Sequence, residues 1–188
     1  GIDAAAFSIN SATGVVTINA VPNFETKSSY SFNVKASDPS GAFSTQAVTL
    51  NINDVAPVIS SATTTSIPEG TSIATTVYTA TATDIAGGTV TYGLSGTDAA
   101  AFNINTTTGA VTFKAVPDFE TKTSYSINVT ASDGTLTSNQ AVTINITDVA
   151  PVISSGTSVS VNEGIAANTA VYTAVAADVA GGTVTYAL

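Results

Sequence analysis

Apolar and polar residues alternate with period two along most of this chain, and nowhere do ten consecutive residues show helical periodicity. Between residues 57 and 150 the alternation falls into seven runs. A first strand is expected over Val58–Ile67. Ile73, Val77 and Tyr78 open a second run that extends to Thr83, and Val90 and Tyr92 make a short third one. Phe102-Asn103-Ile104 and Val111–Phe113 flank the turn Thr106-Thr107-Thr108-Gly109. Tyr125, Ile127, Val129 and Ala131 alternate cleanly, as do Val142, Ile144 and Ile146. Gly-, Asp- and Pro-bearing turns separate the runs. Seven short strands in so few residues predict an all-β, seven-stranded Greek-key β-sandwich of immunoglobulin-like type.

The pattern repeats. Residues 3–38 align with 98–133, with 26 of 36 positions identical, and residues 55–94 align with 149–188, with 26 of 40 identical. The offset changes from 95 to 94 where Asp38-Pro39-Ser40-Gly41 shortens to Asp133-Gly134, as expected of a hairpin tip. The repeat unit is therefore the expected domain. Residues 1–56 supply the last four strands of one copy, 57–150 a whole copy, and 151–188 the first three strands of the next. Tandem sandwiches of this kind are expected end to end in an extended rod. The window reads as a slice of a longer repetitive chain, or else as a subunit whose copies complete one another's sandwiches head to tail in a filament.

Composition narrows the chemistry. The chain has no His, Cys, Trp or Met, so neither a Ser-His-Asp nor a Cys-His arrangement can be built, and no imidazole or thiolate metal site either. An enzyme is not expected. A net charge of −9 disfavours nucleic acid and anionic membrane surfaces, whose affinity comes from Lys and Arg. The aromatic residues Phe102, Phe113 and Tyr125 share faces with Val and Ile and are expected in the core, with Phe119 and Phe24 less well placed.

The acids carry the remaining information. Eleven of the 13 recur at about the repeat spacing: Glu25, Asp38, Asp54, Glu69 and Asp84 return as Glu120, Asp133, Asp148, Glu163 and Asp178, while Asp118 occupies the slot of Asn23. Asp3 and Asp98 pair with each other and fall outside the set. Carboxylates placed so economically in a charge-poor chain point to a hard cation, whose shell of six to eight oxygens draws on several carboxylates. The alternative is that they only cap turns.

The ordered segments Pro68-Glu69-Gly70, Ala82-Thr83-Asp84, Phe102-Asn103-Ile104, Pro117-Asp118-Phe119-Glu120, Ala131-Ser132-Asp133 and Asn145-Ile146-Thr147-Asp148-Val149-Ala150-Pro151 resemble a cadherin repeat in its bacterial or marine surface-protein form. The resemblance implies calcium held between consecutive copies. One junction would use Glu25, Asn53 and Asp54 with Asp84 and Asp133. The next would use Glu69, Asp118, Glu120 and Asp148 with Asp178, and Glu163 and Asp38 would serve further junctions. Ala86 and Ala180 stand where the family has a second Asp, and Val55 and Val149 where it has Asn. Fewer than the family's usual three ions per junction are therefore expected, with the Asn23 junction the weaker. The resemblance further implies an extracellular, secreted or cell-surface location and a non-catalytic role as a calcium-stiffened stalk or filament of an adhesin. Its partners would be neighbouring copies of the same repeat. A binding module for glycan, another cell or ice is the alternative, although no aromatic or charged cluster stands out to serve it.

Overall fold

The computed structural model describes residues 1–188, and it is built from short and medium strands with no α-helix. Two three-residue 3-10 turns, Ala4–Ala6 and Ala99–Ala101, occupy equivalent places in the repeat. By packing, the chain divides into two compact units: residues 1–60, 81–91 and 131–138 form one, and 61–80, 92–130 and 139–188 the other.

The first unit contains the hairpin β1 (Phe7–Ile9) with β2 (Val16–Ile18), and the long hairpin β3 (Ser29–Ser37) with β4 (Phe43–Asn51). It also contains β5 (Val58–Ile59), which pairs antiparallel with β8 (Ala82–Thr83). The four strands expected of residues 1–56 are present. Their apolar face is only partly closed, since Phe32 is buried but Ile9 and Phe43 are 50% and 63% exposed.

The second unit holds β6 (Thr64–Pro68), β7 (Tyr78–Thr79), β10 (Phe102–Ile104), β11 (Ala110–Phe113), β14 (Val152–Ile153) and β15 (Ala176–Ala177), with the bulk of β9 (Thr91–Ser95), β12 (Ser124–Ser132) and β13 (Thr137–Thr147). Strand order is β6-β13-β12-β9 in one sheet and β10-β11-β7 in another. Val and Ile at alternate positions of β12 and β13 put one face of each strand into the core. Ile127, Val129, Ile144, Val142, Val111 and Phe113 are almost completely buried there. Each such side chain contributes about 1.5–3 kcal/mol of burial. Phe102, Phe113 and Tyr125 meet with ring centroids 4.6–5.4 Å apart, a core cluster rather than a stacking surface.

Two expected strands are broken. The run 58–67 divides into β5 and β6, because β5 pairs with β8 while β6 turns to run parallel to β13. The crossing is pinned by Tyr78, whose hydroxyl donates to the Ala62 carbonyl oxygen at 2.6 Å and lies 2.8 Å from Ser61 Oγ. Gln140 Nε2 adds a bond to the Ser61 carbonyl at 2.8 Å. Hydrophobic alternation does not register such a switch of partner, because both halves keep period two. The run from Ile73 to Thr83 likewise forms ladder pairs only at Tyr78–Thr79 and Ala82–Thr83. Residues 151–188 show two two-residue strands, β14 and β15, where three strands are expected.

Candidate metal centre

The acid-bearing turn is built locally and is the same in both copies. In residues 118–122, Thr121 donates its backbone N–H to Asp118 Oδ1 (2.9 Å) and its hydroxyl to Asp118 Oδ2 (2.8 Å), and the Lys122 N–H closes onto the Asp118 carbonyl (3.0 Å). These donors, the Thr121 backbone first, hold the Asp118 carboxyl below the usual aspartate value. In residues 23–27 the Thr26 N–H meets Asn23 Oδ1 at 2.7 Å and the Lys27 N–H meets the Asn23 carbonyl at 2.9 Å. Asn therefore replaces Asp as the turn former without loss of the turn, leaving the glutamate two residues later free to point outward.

In the first unit, Glu25 from this turn, Asp84 from the bend after β8 and Asp133 from the β12–β13 tip bring carboxylate oxygens within 4.8 Å of one another. Asp84 Oδ1 accepts the Ala86 and Gly88 N–H groups, and Asp133 Oδ1 those of Thr135 and Leu136. The second oxygen of each is buried with no hydrogen-bond partner, and so is Asp54 Oδ2. A buried carboxylate oxygen without a donor costs several kcal/mol unless something positive meets it. A cavity of about 230 Å³ lies beside them, lined by Glu25, Asn53, Asp54 and Asp84 and by apolar Val21, Ile52, Val55 and Ile85.

In the second unit, Glu69, Glu120 and Asp178 form the equivalent group, again with oxygens within 4.8 Å. Glu69 is 3% exposed and is bound at both ends: Oε2 accepts the Phe119 N–H (3.0 Å) and Oε1 the Val149 N–H (2.7 Å). One carboxylate thus ties the acid turn to the segment following Asp148. Asp178 Oδ1 accepts the Ala180 N–H at 3.1 Å, as Asp84 does in its own bend. The Glu120 backbone N–H favours its charged side chain. Desolvation and the charges of Glu69, Asp178 and Asp148 outweigh that and push its carboxyl above the usual glutamate value. The shift records the mutual repulsion of the acids gathered here.

The expected residues fall into three groups. Glu25, Asp84 and Asp133, with Asp54 and Asn53 beside them, are brought together, as are Glu69, Glu120 and Asp178 with Asp148 within electrostatic reach. Asp118 forms the turn and takes its bonds from Thr121. Asp38 and Glu163 lie in neither group: Asp38 accepts bonds from the Ser40 N–H and hydroxyl and the Ala42 N–H, and Glu163 sits exposed in its turn. Three further residues make contacts that the spacing of the acids does not foretell. Asn23 Nδ2 donates to the Ala86 carbonyl at 3.2 Å, joining the acid turn to the Asp84 bend directly. Asp3 and Asp98, which lie outside the repeated acid set, form ion pairs with Lys27 (2.9 Å) and Lys122 (2.6 Å).

Residues 63–147 match the Cadherin domain model. Among relatives, the human "Cadherin EGF LAG seven-pass G-type receptor 2" is 32% identical over 179 residues, covering 88% of this chain and 6% of that protein. The mouse "Protocadherin Fat 4" is 31% identical over 134 residues, covering 66% of this chain and 3% of its own length. The chain therefore spans a few per cent of the relatives it matches. The crystal structure of human Protocadherin-24 EC1-2 is similar at TM-score 0.50 and 26% identity, over 67% of this chain and 61% of that one.

Proposed function

From a chain that is a cadherin-like, extracellular β-sandwich over residues 63–147, we propose that the two carboxylate groups are calcium sites. Each would stiffen the junction between consecutive copies of the repeat. The carrying observation is the set of buried, donor-less oxygens of Asp54, Asp84 and Asp133 next to Glu25. Nothing in the chain supplies a positive charge there: its four cations are all Lys, and two of them are already paired elsewhere. An all-oxygen, carboxylate-rich donor set suits a hard divalent cation that accepts irregular geometry, calcium before magnesium. Glu25, Asp54, Asp84 and Asp133 would hold it in the first unit, with Asn53 lending a carbonyl oxygen. Glu69, Glu120, Asp148 and Asp178 would hold it in the second, with Asp118 adding charge to the turn. The missing second acids at Ala86 and Ala180 support fewer than three ions per junction.

The domain boundaries that follow are 1–56, 57–150 and 151–188, with Asp54 and Asp148 as linker acids. Bridging those linkers would limit swivelling at Ala56-Pro57 and Ala150-Pro151, where Pro already restricts the backbone. The chain's role is then mechanical and non-catalytic: a repeat in the stalk or fibre of an adhesin. The near-identity of its copies supports a spacer over a recognition tip. That the host is of the bacterial surface-protein type is supported by the same near-identity and by the thinned acid motifs.

Thermal melts and elastase digestion of the chain, with millimolar calcium and with chelator, test this. Calcium at about ten times its Kd adds roughly 1.4 kcal/mol through binding to the folded state alone, and protects residues 52–57 and 146–151 from cleavage. Identical melts and digests in the two conditions overturn it.

A further inference from the structure

The chain contains no Arg, and two of its four Lys residues, Lys27 and Lys122, sit two positions after the cluster glutamates Glu25 and Glu120. A flexible ammonium so near a group of carboxylates is the obvious internal rival of any cation that binds there. Both lysines are turned away in the same manner. Lys122 Nζ lies 2.6 Å from Asp98 Oδ1 and 4.9 Å from the centroid of the Tyr125 ring. Lys27 Nζ lies 2.9 Å from Asp3 Oδ1 and 5.2 Å from the Tyr30 centroid.

The acids that hold them are themselves held. The Ser126 N–H donates to Asp98 Oδ2 (2.7 Å), and the Asp98 N–H donates to the Ser126 carbonyl (3.1 Å). In the other copy the Ser31 N–H donates to Asp3 Oδ2 (2.8 Å) and the Asp3 N–H to the Ser31 carbonyl (3.0 Å). Asp98 and Asp3 are thus anchored on the strand that follows the turn, β12 in one copy and β3 in the other. Each half of the restraint, the carboxylate and the ring face, favours the charged ammonium where it lies.

We propose that Asp98 and Asp3 are positioning residues for cation binding, which act by holding the turn lysine off the neighbouring glutamate. This explains why the two acids outside the repeated acid set nevertheless recur as a pair. It rests on the calcium reading of the clusters. Released from Asp98, the Lys122 ammonium reaches toward Glu120 and competes with calcium for it.

Calcium titration by calorimetry on the whole chain tests the idea with Asp98→Asn, Lys122→Met and the double variant, each checked for folding by circular dichroism. Asp98→Asn is expected to weaken calcium binding about 3–10-fold, a size appropriate to one close charge at a partly exposed site. Lys122→Met binds as tightly as wild type or tighter, and the double variant recovers the wild-type affinity. A support role without competition gives the opposite signature: Lys122→Met weakens binding and the double variant stays weak. Either of those results overturns the proposal, as does an Asp98→Asn variant that binds like wild type. If Asp98→Asn does not fold, Lys122→Met alone still decides, since weakened binding in it sinks the competition. A wild-type chain that takes up no calcium overturns the calcium reading beneath it instead.

Discussion

The acid group around Glu25 and the one around Glu69 are two partial views of one design, and they differ in what holds the carboxylates in place. In the first unit Glu25 is exposed, and the buried oxygens of Asp54, Asp84 and Asp133 have no donors. In the second, buried Glu69 spends both oxygens on backbone N–H groups, and the exposed Glu120 carries the strain of repulsion. Residues 1–188 hold no counterpart of Glu69 in the first group and none of Asp133 in the second. What the contrast teaches is that one set of repeated acids performs two jobs. Some carboxylates build the scaffold through backbone bonds, and others keep a buried oxygen that no donor in the chain reaches.

Glutamate replacement breaks this comparison most strongly. Glu69→Ala strands two part-buried N–H groups, on Phe119 and Val149, and is expected to cost about 2–4 kcal/mol in urea denaturation even without calcium. Glu25→Ala, at an exposed side chain, is expected to cost less than about 0.5 kcal/mol without calcium and to act only on calcium binding. Equal losses in chelator would erase the division of labour.

Exchanging the turn residues sharpens the comparison at intermediate size. Asn23→Asp adds a carboxylate to the first group while keeping the turn, and should tighten its calcium binding about 3–10-fold. Asp118→Asn should weaken the second group by a similar factor. Asn23→Asp also removes the amide that donates to the Ala86 carbonyl. If that direct bond matters more than ligand charge, affinity will fall instead, and calorimetry on both variants separates the two.

The smallest effect is on pH. The Glu120 carboxyl is raised, so without calcium its contribution to stability is fully present below the ordinary glutamate value of 4.5 and is lost as pH rises through the folded-state value. Asp98, held down first by the Lys122 bond, and Asp118, held down first by the Thr121 backbone, run the other way. Their contributions are present above the ordinary 3.8 and are lost as pH falls through their lowered values. The calcium-free melting temperature should therefore peak at about pH 4–5, decline as pH rises from there, and drop below about pH 4. Glu120→Gln should flatten the decline above the peak and leave the acid drop in place. A decline that survives this substitution would mean that the crowding lies elsewhere.

Much of this was legible in the chain. Alternation in Tyr125–Ala131 and Val142–Ile146 names the core face of β12 and β13, because a strand with one buried face must repeat with period two. The repeat spacing of the acids marks out the set from which both groups draw, although Asp38 and Glu163 share that spacing and join neither. The division of 58–67 into β5 and β6 was not legible, because a strand that changes sheets keeps its period and alters only its partners. Nor was the pairing of Asp98 with Lys122, which are 24 residues apart and meet only because Asp98 docks on Ser126.

The sequence by itself determined the core faces of β12 and β13, the repeat and the identity of the acids, since all of these follow from periodicity and local turn chemistry. Only the tertiary structure decided which carboxylates are spent and which are spare. Whether an oxygen finds an N–H depends on where separate turns come to rest in space. Glu69 and Glu163 share a local motif, yet only Glu69 is buried against Phe119 and Val149.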